Sequence, residues 1–212
     1  MTRVCAPVDV RRRHGALITA IVLLALTVVF MFAASPPSWF QPPATHDQDA
    51  AERARGFERN FAAELSRIRD DEPWALRIHE RDLNAWLWLR LPAWAAHAHG
   101  PEDLAAQPRF QVQMTPGRVR FWADPWILGL QPRVVNTNVE LAVVRGSGVG
   151  RLPVPAFIAQ AGLGSLDLDI LDSEVLLGTL GDGRRIEVLE IQLDEGEMVL
   201  ILRTVHAGSE QK

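Results

Sequence analysis

The chain has 212 residues, of which 48% are apolar and 23% charged, so it fits one globular domain with a short appendage and is not a wholly disordered protein. The first fourteen residues hold four arginines and one aspartate, whereas the remainder holds 18 basic and 25 acidic residues. A domain this acidic is a poor binder of nucleic acid, because neutralising phosphates dominates such affinity. The only cysteine is Cys5, which excludes an intrachain disulfide.

An uncharged run of 20 residues, from Gly15 to Ala34, follows the basic tail formed by residues 1–14. As a helix, such a run extends for about 30 Å, the hydrocarbon thickness of a bilayer. Eleven of its residues are Leu, Ile, Val or Phe, which favour insertion. The run therefore predicts a single transmembrane helix over residues 15–35.

The orientation of this helix follows from its flanking charges. Arg11, Arg12 and Arg13 predict a cytoplasmic N-terminus, with the domain on the extracytoplasmic, periplasmic side of the cell (inner) membrane. The alternative is a cleaved signal peptide, whose apolar core usually has about 7–15 residues. The run here is longer, and Pro36 and Pro37 would hinder cleavage, so the uncleaved anchor is the preferred interpretation.

A proline-rich linker is predicted over 36–46, a domain over 47–206 and a flexible tail over 207–212. The domain opens with a predicted helix over 47–71, where apolar residues recur three and four positions apart. These residues are Ala54, Phe57, Phe61, Leu65 and Ile68. Alternation predicts a short strand over 74–78. The predicted elements that follow are a second amphipathic helix over 80–91, ended by Pro92, and a loop over 93–108.

After residue 108 the apolar period changes to two. A hairpin is predicted from strands 110–114 and 119–123, joined by a turn at Pro116-Gly117. The other predicted elements are a strand over 134–144, a short helix over 155–163, a strand over 186–193 and an apolar strand over 198–202. One face of the strand over 134–144 is predicted to hold Val135, Thr137, Val139, Leu141 and Val143. One face of the strand over 186–193 is predicted to hold Ile186, Val188, Glu190 and Gln192.

The predicted fold class is α+β, with two amphipathic helices packed on a mainly antiparallel sheet of five or six strands. Catalytic signals are weak. His97 and His99 precede Glu102 and Asp103, but no known metal-site spacing fixes a third ligand, so a solvated loop is preferred over a zinc hydrolase. Asp167, Asp169 and Asp172 lack the glycine and terminal glutamate of a calcium loop. No catalytic residue, metal or cofactor is predicted.

Six tryptophans lie between Trp74 and Trp126, and such clusters either fill a core or line an apolar groove. If there is a groove, it lies between the second helix and the alternating strands. The predicted ligand-binding residues are Leu83, Trp86, Leu87, Phe110, Phe121 and Trp122.

Three segments carry a resemblance to a known family: Ile78-His-Glu-Arg-Asp-Leu-Asn-Ala-Trp-Leu87, Val149-Gly-Arg-Leu-Pro-Val-Pro155 and Ile191-Gln-Leu-Asp-Glu-Gly-Glu-Met-Val-Leu200. In this order they resemble the YpmS-like group of single-pass, membrane-anchored domains related to tubular lipid-binding folds. The resemblance implies a curved antiparallel sheet that wraps a helix and encloses an apolar cavity. It implies no catalytic residues.

The sequence therefore favours a non-enzymatic, membrane-anchored domain that binds a lipid or another apolar molecule near the membrane. The alternative is a structural or assembly module that binds a protein partner in the cell envelope. Both interpretations depend on the uncharged run of residues 15–34 as a membrane anchor.

Overall fold

The computed structural model describes residues 10–44, 47–69, 71–94, 110–135, 137–144, 146–155 and 182–205, with the side chains of 10–17 and 138 outside the description. The helices are α1 (Val10–Ala33), α2 (Gln48–Ser66) and α3 (Glu80–Leu89), followed by one helical turn at 91–94. The strands are β1 (Trp74–His79), β2 (Phe110–Thr115), β3 (Arg118–Ala123), β4 (Trp126–Val135), β5 (Asn138–Val143), β6 (Gly148–Val149), β7 (Leu152–Pro153), β8 (Arg185–Asp194) and β9 (Glu197–Val205).

The strands form a curled antiparallel sheet in two segments. One segment has the order β1-β9-β8, and the other has the order β2-β3-β4-β6-β7 with β5 also paired to β4. Backbone hydrogen bonds connect the segments, including one from the Val188 amide to the Thr137 carbonyl (3.2 Å). The predicted α+β class is confirmed, as are the hairpin β2–β3 and the two C-terminal strands.

The core lies on the concave side, between the two segments and the helices. Its buried residues are Leu76, Ile78, Val112, Met114, Ile186, Val188, Leu200 and Leu202. Helix α2 adds Phe57, Phe61 and Leu65 to this core, as its apolar period predicted. It approaches α3 closely because small residues, Ala50 and Ala54 on α2 and Ala85 on α3, form the contact.

The first predicted helix ends earlier than expected, at Ser66 rather than near residue 71, and Ile68 is 81% exposed. At this end of α2, the Arg184 side chain provides hydrogen bonds to carbonyl groups that have no partner within the helix. The Arg184 guanidinium donates to the carbonyls of Ser66 (3.3 Å) and Arg67 (2.9 Å). It also bonds to Asp182, which lowers the pKa of that exposed carboxyl. A cation at a helix C-terminus stabilises it.

The strand predicted over 134–144 is wrong, because the chain reverses inside it. Val135 ends β4 and residue 138 begins β5, which folds back against β4. The turn residue Thr137 has φ of 66°, a conformation that interrupts an extended strand. Most of β4 was not predicted at all, since Gly129 and Pro132 interrupt its apolar pattern.

The predicted faces of the strand over 186–193 are also wrong. A β-bulge shifts the register between Val188 and Glu190, so the side chains change faces at that point. Ile186 and Val188 therefore share the core with Ile191 and Leu193, which strict alternation would place on the other face. The exposed side chains are those of Glu190 and Gln192.

Helix α3 covers the edge of the larger sheet segment with two polar side chains. Asn84 donates to the Val112 carbonyl (2.8 Å) and accepts from the Val112 amide (2.7 Å). Glu80, one helical turn earlier, accepts from the Met114 amide (2.6 Å). Because β2 is an edge strand, these backbone groups have no neighbouring strand on this side. The two side chains on α3 thus take the place of a missing strand.

Replacing Glu80 by glutamine should flatten the pH dependence of stability. Burial raises the pKa of Glu80 above its ordinary value of 4.5, although the Met114 amide opposes that shift. The folded state then holds this proton more tightly than the unfolded state, so stability falls as pH rises from about 4.5 through the folded pKa. Glutamine keeps an acceptor for Met114 and does not titrate.

The measurement is guanidinium unfolding of the full chain at several pH values between 4 and 8. We expect the stability of E80Q relative to the parent to increase with pH across this window. The matched control is Glu52→Gln on the exposed side of α2, which should follow the parent. Parallel curves for E80Q and the parent would contradict the prediction.

Helix α1 begins at Val10 and ends at Ala33. From residue 18 onward its side chains are mostly exposed, for example Leu24 at 66% and Phe30 at 72%. In the described part of the chain, no helix has both the length and the hydropathy needed to cross a membrane. The transmembrane helix predicted over 15–35 stays a prediction. Outside the described residues lie Cys5, most of the loop 93–108, the helix predicted over 155–163 and the tail 207–212.

Candidate functional site

The six predicted ligand-binding residues do not line one groove. Leu83, Leu87 and Phe121 pack against the main core, and Phe110 stacks on Phe121 with a centroid distance of 5.2 Å. Trp86 lies instead at the contact between α2 and α3, 6.1 Å from Phe57. These five aromatic and aliphatic residues contact other side chains of the domain.

Trp122 lies on the opposite face of the sheet. It alternates with Phe121 along β3, so the two side chains point to different sides. Trp122 is only 6% exposed, and the ring of Phe40 covers it at a centroid distance of 4.1 Å. Phe40 also contacts Trp88 at 5.7 Å. The linker after α1 is therefore packed onto the domain through Phe40.

A polar contact holds the next linker residue. The Gln41 amide donates to the side-chain carbonyl of Gln111 (3.2 Å), and the Gln111 amide group donates back to the Gln41 carbonyl (3.4 Å). Gln111 is 6% exposed and occupies the same face of the sheet as Trp122, its neighbour in register. Residues 40 and 41 thus fix the path of the linker across this face.

The C-terminal end of α1 is held by the turn between β6 and β7. The Arg151 amide donates to the Phe32 carbonyl (2.9 Å), and the Arg151 side chain donates to the Pro36 carbonyl (3.0 Å). Both carbonyl groups lie at or just after the helix end, where an arginine is electrostatically favourable. Gly150 makes this approach possible, because a Cβ atom there would overlap the Ala33 carbonyl oxygen.

A pocket of about 160 Å³ lies between the end of α1 and the sheet. We call it the junction pocket, and its lining residues are Ala33, Ala34, Ser35, Pro36, Phe40, Trp122, Asp124, Pro125 and Gly150. The Nε1 atom of Trp122 is buried and has no hydrogen-bond partner among the described residues. A buried indole N–H usually has a partner, so Trp122, which also lines the pocket, carries an unmatched donor.

The junction pocket is lined mainly by apolar side chains. Asp124 is exposed at its rim, and its other side chains are apolar or hydroxyl-bearing apart from the Trp122 N–H. Among the residues that the structure describes, no three His, Cys, Asp or Glu side chains are grouped so as to hold a metal ion. His97, His99, Glu102, Asp103, Asp167, Asp169 and Asp172 lie outside those residues.

Of the residues that line the junction pocket, only Trp122 was predicted from the sequence to bind a ligand. Gly150 and Arg151 were part of a segment quoted for its family resemblance, but nothing in their spacing indicates a contact with α1. Phe40 was predicted to lie in the linker, where an aromatic residue next to an apolar helix is typical of a membrane interface. Comparison with protein-family models, with curated proteins and with solved structures finds no match to this chain.

Proposed function

We propose that this chain is a single-pass membrane protein whose domain binds a lipid or another apolar molecule beside its membrane helix, in the junction pocket. The carrying observation is the pocket itself, which is lined by the last residues of an apolar helix, by the residues that follow them and by the Trp122 side chain. The lipid-binding site proposed here replaces the groove that the sequence predicted. Of the six residues of that groove, it retains Trp122.

Membrane anchoring is supported by the sequence and by the exposed side chains of α1. The uncharged run of residues 15–34 is as long as a bilayer is thick, and the leucine, valine and phenylalanine side chains described in this helix are about half or more exposed. Exposure of so many large apolar side chains in water is unfavourable, whereas lipid chains would cover them. The arginine cluster at 11–13 would then lie in the cytoplasm and the domain outside it.

Lipid binding is supported by the composition of the junction pocket. Phe40, Pro36, Pro125 and the Trp122 side chain provide apolar surface. Docking of the helix end by Gly150 and Arg151 would hold this pocket at the membrane surface. The YpmS-like resemblance agrees with lipid binding but stays a prediction, since no family model matches.

The test uses the full chain in native membranes and a phospholipid with a photoreactive acyl chain. We expect crosslinks on peptides that contain residues 33–40 and 122–125, and none on β8 or β9. Gly150→Ala should reduce crosslinking several-fold, because its Cβ would separate the sheet from the end of α1. Gly183→Ala is the matched control, since Gly183 also has positive φ (84°) but open space around its Cβ position.

Two kinds of outcome would contradict the proposal, one for the topology and one for the pocket. A protein that is removed from membranes by alkaline carbonate, or a reporter at Lys212 that is cytoplasmic, would refute the anchored topology. Equal crosslinking in G150A and G183A, or crosslinks spread over the whole domain, would refute the pocket. A stoichiometric protein crosslinked to the same peptides would favour the envelope-assembly alternative.

A further inference from the structure

Two arginines lie side by side on the face of the sheet opposite the core. Arg118 and Arg120 are two residues apart on β3, so they share a face, while Val119 and Phe121 between and after them contact the core. Gly146, between β5 and β6, lies beside both. A Cβ atom added at Gly146 would lie 3.7 Å from Nη1 of Arg118 and 3.7 Å from Nε of Arg120. The two guanidinium groups are therefore neighbours.

This pair has few hydrogen-bond acceptors around it. Each guanidinium offers five N–H groups. Across the described part of the chain, the pair makes one side-chain hydrogen bond, a long one (3.4 Å) from Arg120 to Gln113. The Nε of Arg120 is buried without a partner in the same part of the chain.

Other arginines of the domain do form close ion pairs, unlike Arg118 and Arg120. Arg184 and Arg203 each have a carboxylate oxygen 2.6 Å away. By contrast, no described carboxylate lies within ion-pair distance of Arg118 or Arg120. The domain has more acidic than basic residues, so carboxylates are plentiful but are not placed here.

The surrounding charges on this face are also mainly positive. Arg133 of β4 lies on the same face, where its side chain bonds to Gln131 (3.3 Å). The one carboxylate that the described strand register places on this face is Glu140, opposite Arg133 on β5. Adjacent like charges repel, and the repulsion is larger where water is partly excluded. A bound anion would remove it.

We propose that Arg118 and Arg120, with Gln113 and the loop at Gly146, form a binding site for a phosphate-type oxyanion. Guanidinium groups match such an anion through paired N–H···O bonds. Gly146 adds no side chain beside the two guanidinium groups, and its φ of 104° disfavours any residue with a Cβ. None of these residues lines the junction pocket, and the site does not require membrane anchoring.

The anion has two sources with the same chemistry, soluble phosphate and a phospholipid headgroup. The test follows thermal unfolding of the full chain in a maltoside detergent, which contains no phosphate, by near-ultraviolet circular dichroism. One arm compares inorganic phosphate with chloride at equal ionic strength. The other adds dihexanoyl phosphatidylglycerol below its micelle concentration. At 100-fold excess over the dissociation constant, we expect the midpoint to rise by roughly 5 °C or more in at least one arm.

Variants distinguish binding at a specific site from a general effect of positive charge on the protein. Arg118→Gln with Arg120→Gln should abolish the rise. The matched control is Arg55→Gln with Arg59→Gln, which removes two exposed charges from α2 and should retain the full rise. Arg118→Lys with Arg120→Lys keeps the charge but loses the paired geometry, so it should retain part of the rise and gives a result even where the glutamine variant does not fold.

A rise with phosphate alone identifies a soluble anion, and a rise with the phospholipid alone identifies a headgroup. The proposal is overturned when neither ligand shifts the midpoint of the parent chain. It is equally overturned when the α2 control loses the rise to the same extent as the β3 pair. Neither result bears on the junction pocket, whose test uses crosslinking.

Discussion

Replacing Leu202 by alanine should lower the free energy of unfolding by about 2–5 kcal/mol, the largest effect expected of a single side chain in this domain. Leu202 is 0% exposed and lies in β9, the central strand of the three-stranded segment. Its neighbours in the core come from both sheet segments, so the lost volume cannot be refilled by one loop moving inward. The cost therefore combines lost apolar burial with a residual cavity.

The measurement is guanidinium unfolding of the full chain, followed by near-ultraviolet circular dichroism of its tryptophans. Leu141→Ala is the matched control, because Leu141 is 36% exposed on β5 and its truncation should cost less than about 1 kcal/mol. Similar losses in L202A and L141A would show that Leu202 is not at the centre of the core.

The second large effect is expected at Asn84, where alanine should cost about 2–4 kcal/mol. Asn84 satisfies both the amide and the carbonyl of Val112, and Val112 is itself 5% exposed. Removing the side chain leaves two buried backbone groups without partners, each of which costs about 1–3 kcal/mol. Water has little access to replace them at this edge.

Asn60→Ala is the matched control, since Asn60 is also on a helix but exposed to solvent, and it should change stability by less than about 0.5 kcal/mol. Hydrogen exchange gives a second measurement. The Val112 amide should be protected in the parent chain and should exchange much faster in N84A. Unchanged protection at Val112 would contradict the role assigned to Asn84.

The local elements were largely predictable from the sequence because their signals are local. The 3.6-residue period identified α2 and α3, alternation identified β1, β2 and β3, and a continuous apolar run identified β9. Errors arose where one residue changes the pattern. The turn at Thr137 divides a predicted strand in two, and the bulge after Val188 moves Ile191 into the core. Neither has a periodic signature.

The candidate sites depended on contacts between residues distant in the chain. The sequence identified the helix start from Glu80 to Asn84 as a motif, but not that these side chains bond to an edge strand 28 to 34 residues later. It could not pair Gly150 with the end of α1, or place Gly146 beside Arg118 and Arg120. Contacts between backbone segments that are distant in the chain follow no fixed residue spacing, so the sequence pattern does not reveal them.

By itself, the sequence determined the α+β class, the apolar run at 15–34, the acidic balance of the rest and the absence of an intrachain disulfide. These properties follow from the composition and from the spacing of apolar residues, which recur every two residues in strands and every 3.6 in helices. Both patterns can be recognised within a short stretch of sequence. Only the tertiary structure decided that Trp122 faces the linker rather than the core, and that two arginines meet without a carboxylate. Both depend on which face of β3 is covered, and that is fixed by packing across the whole domain.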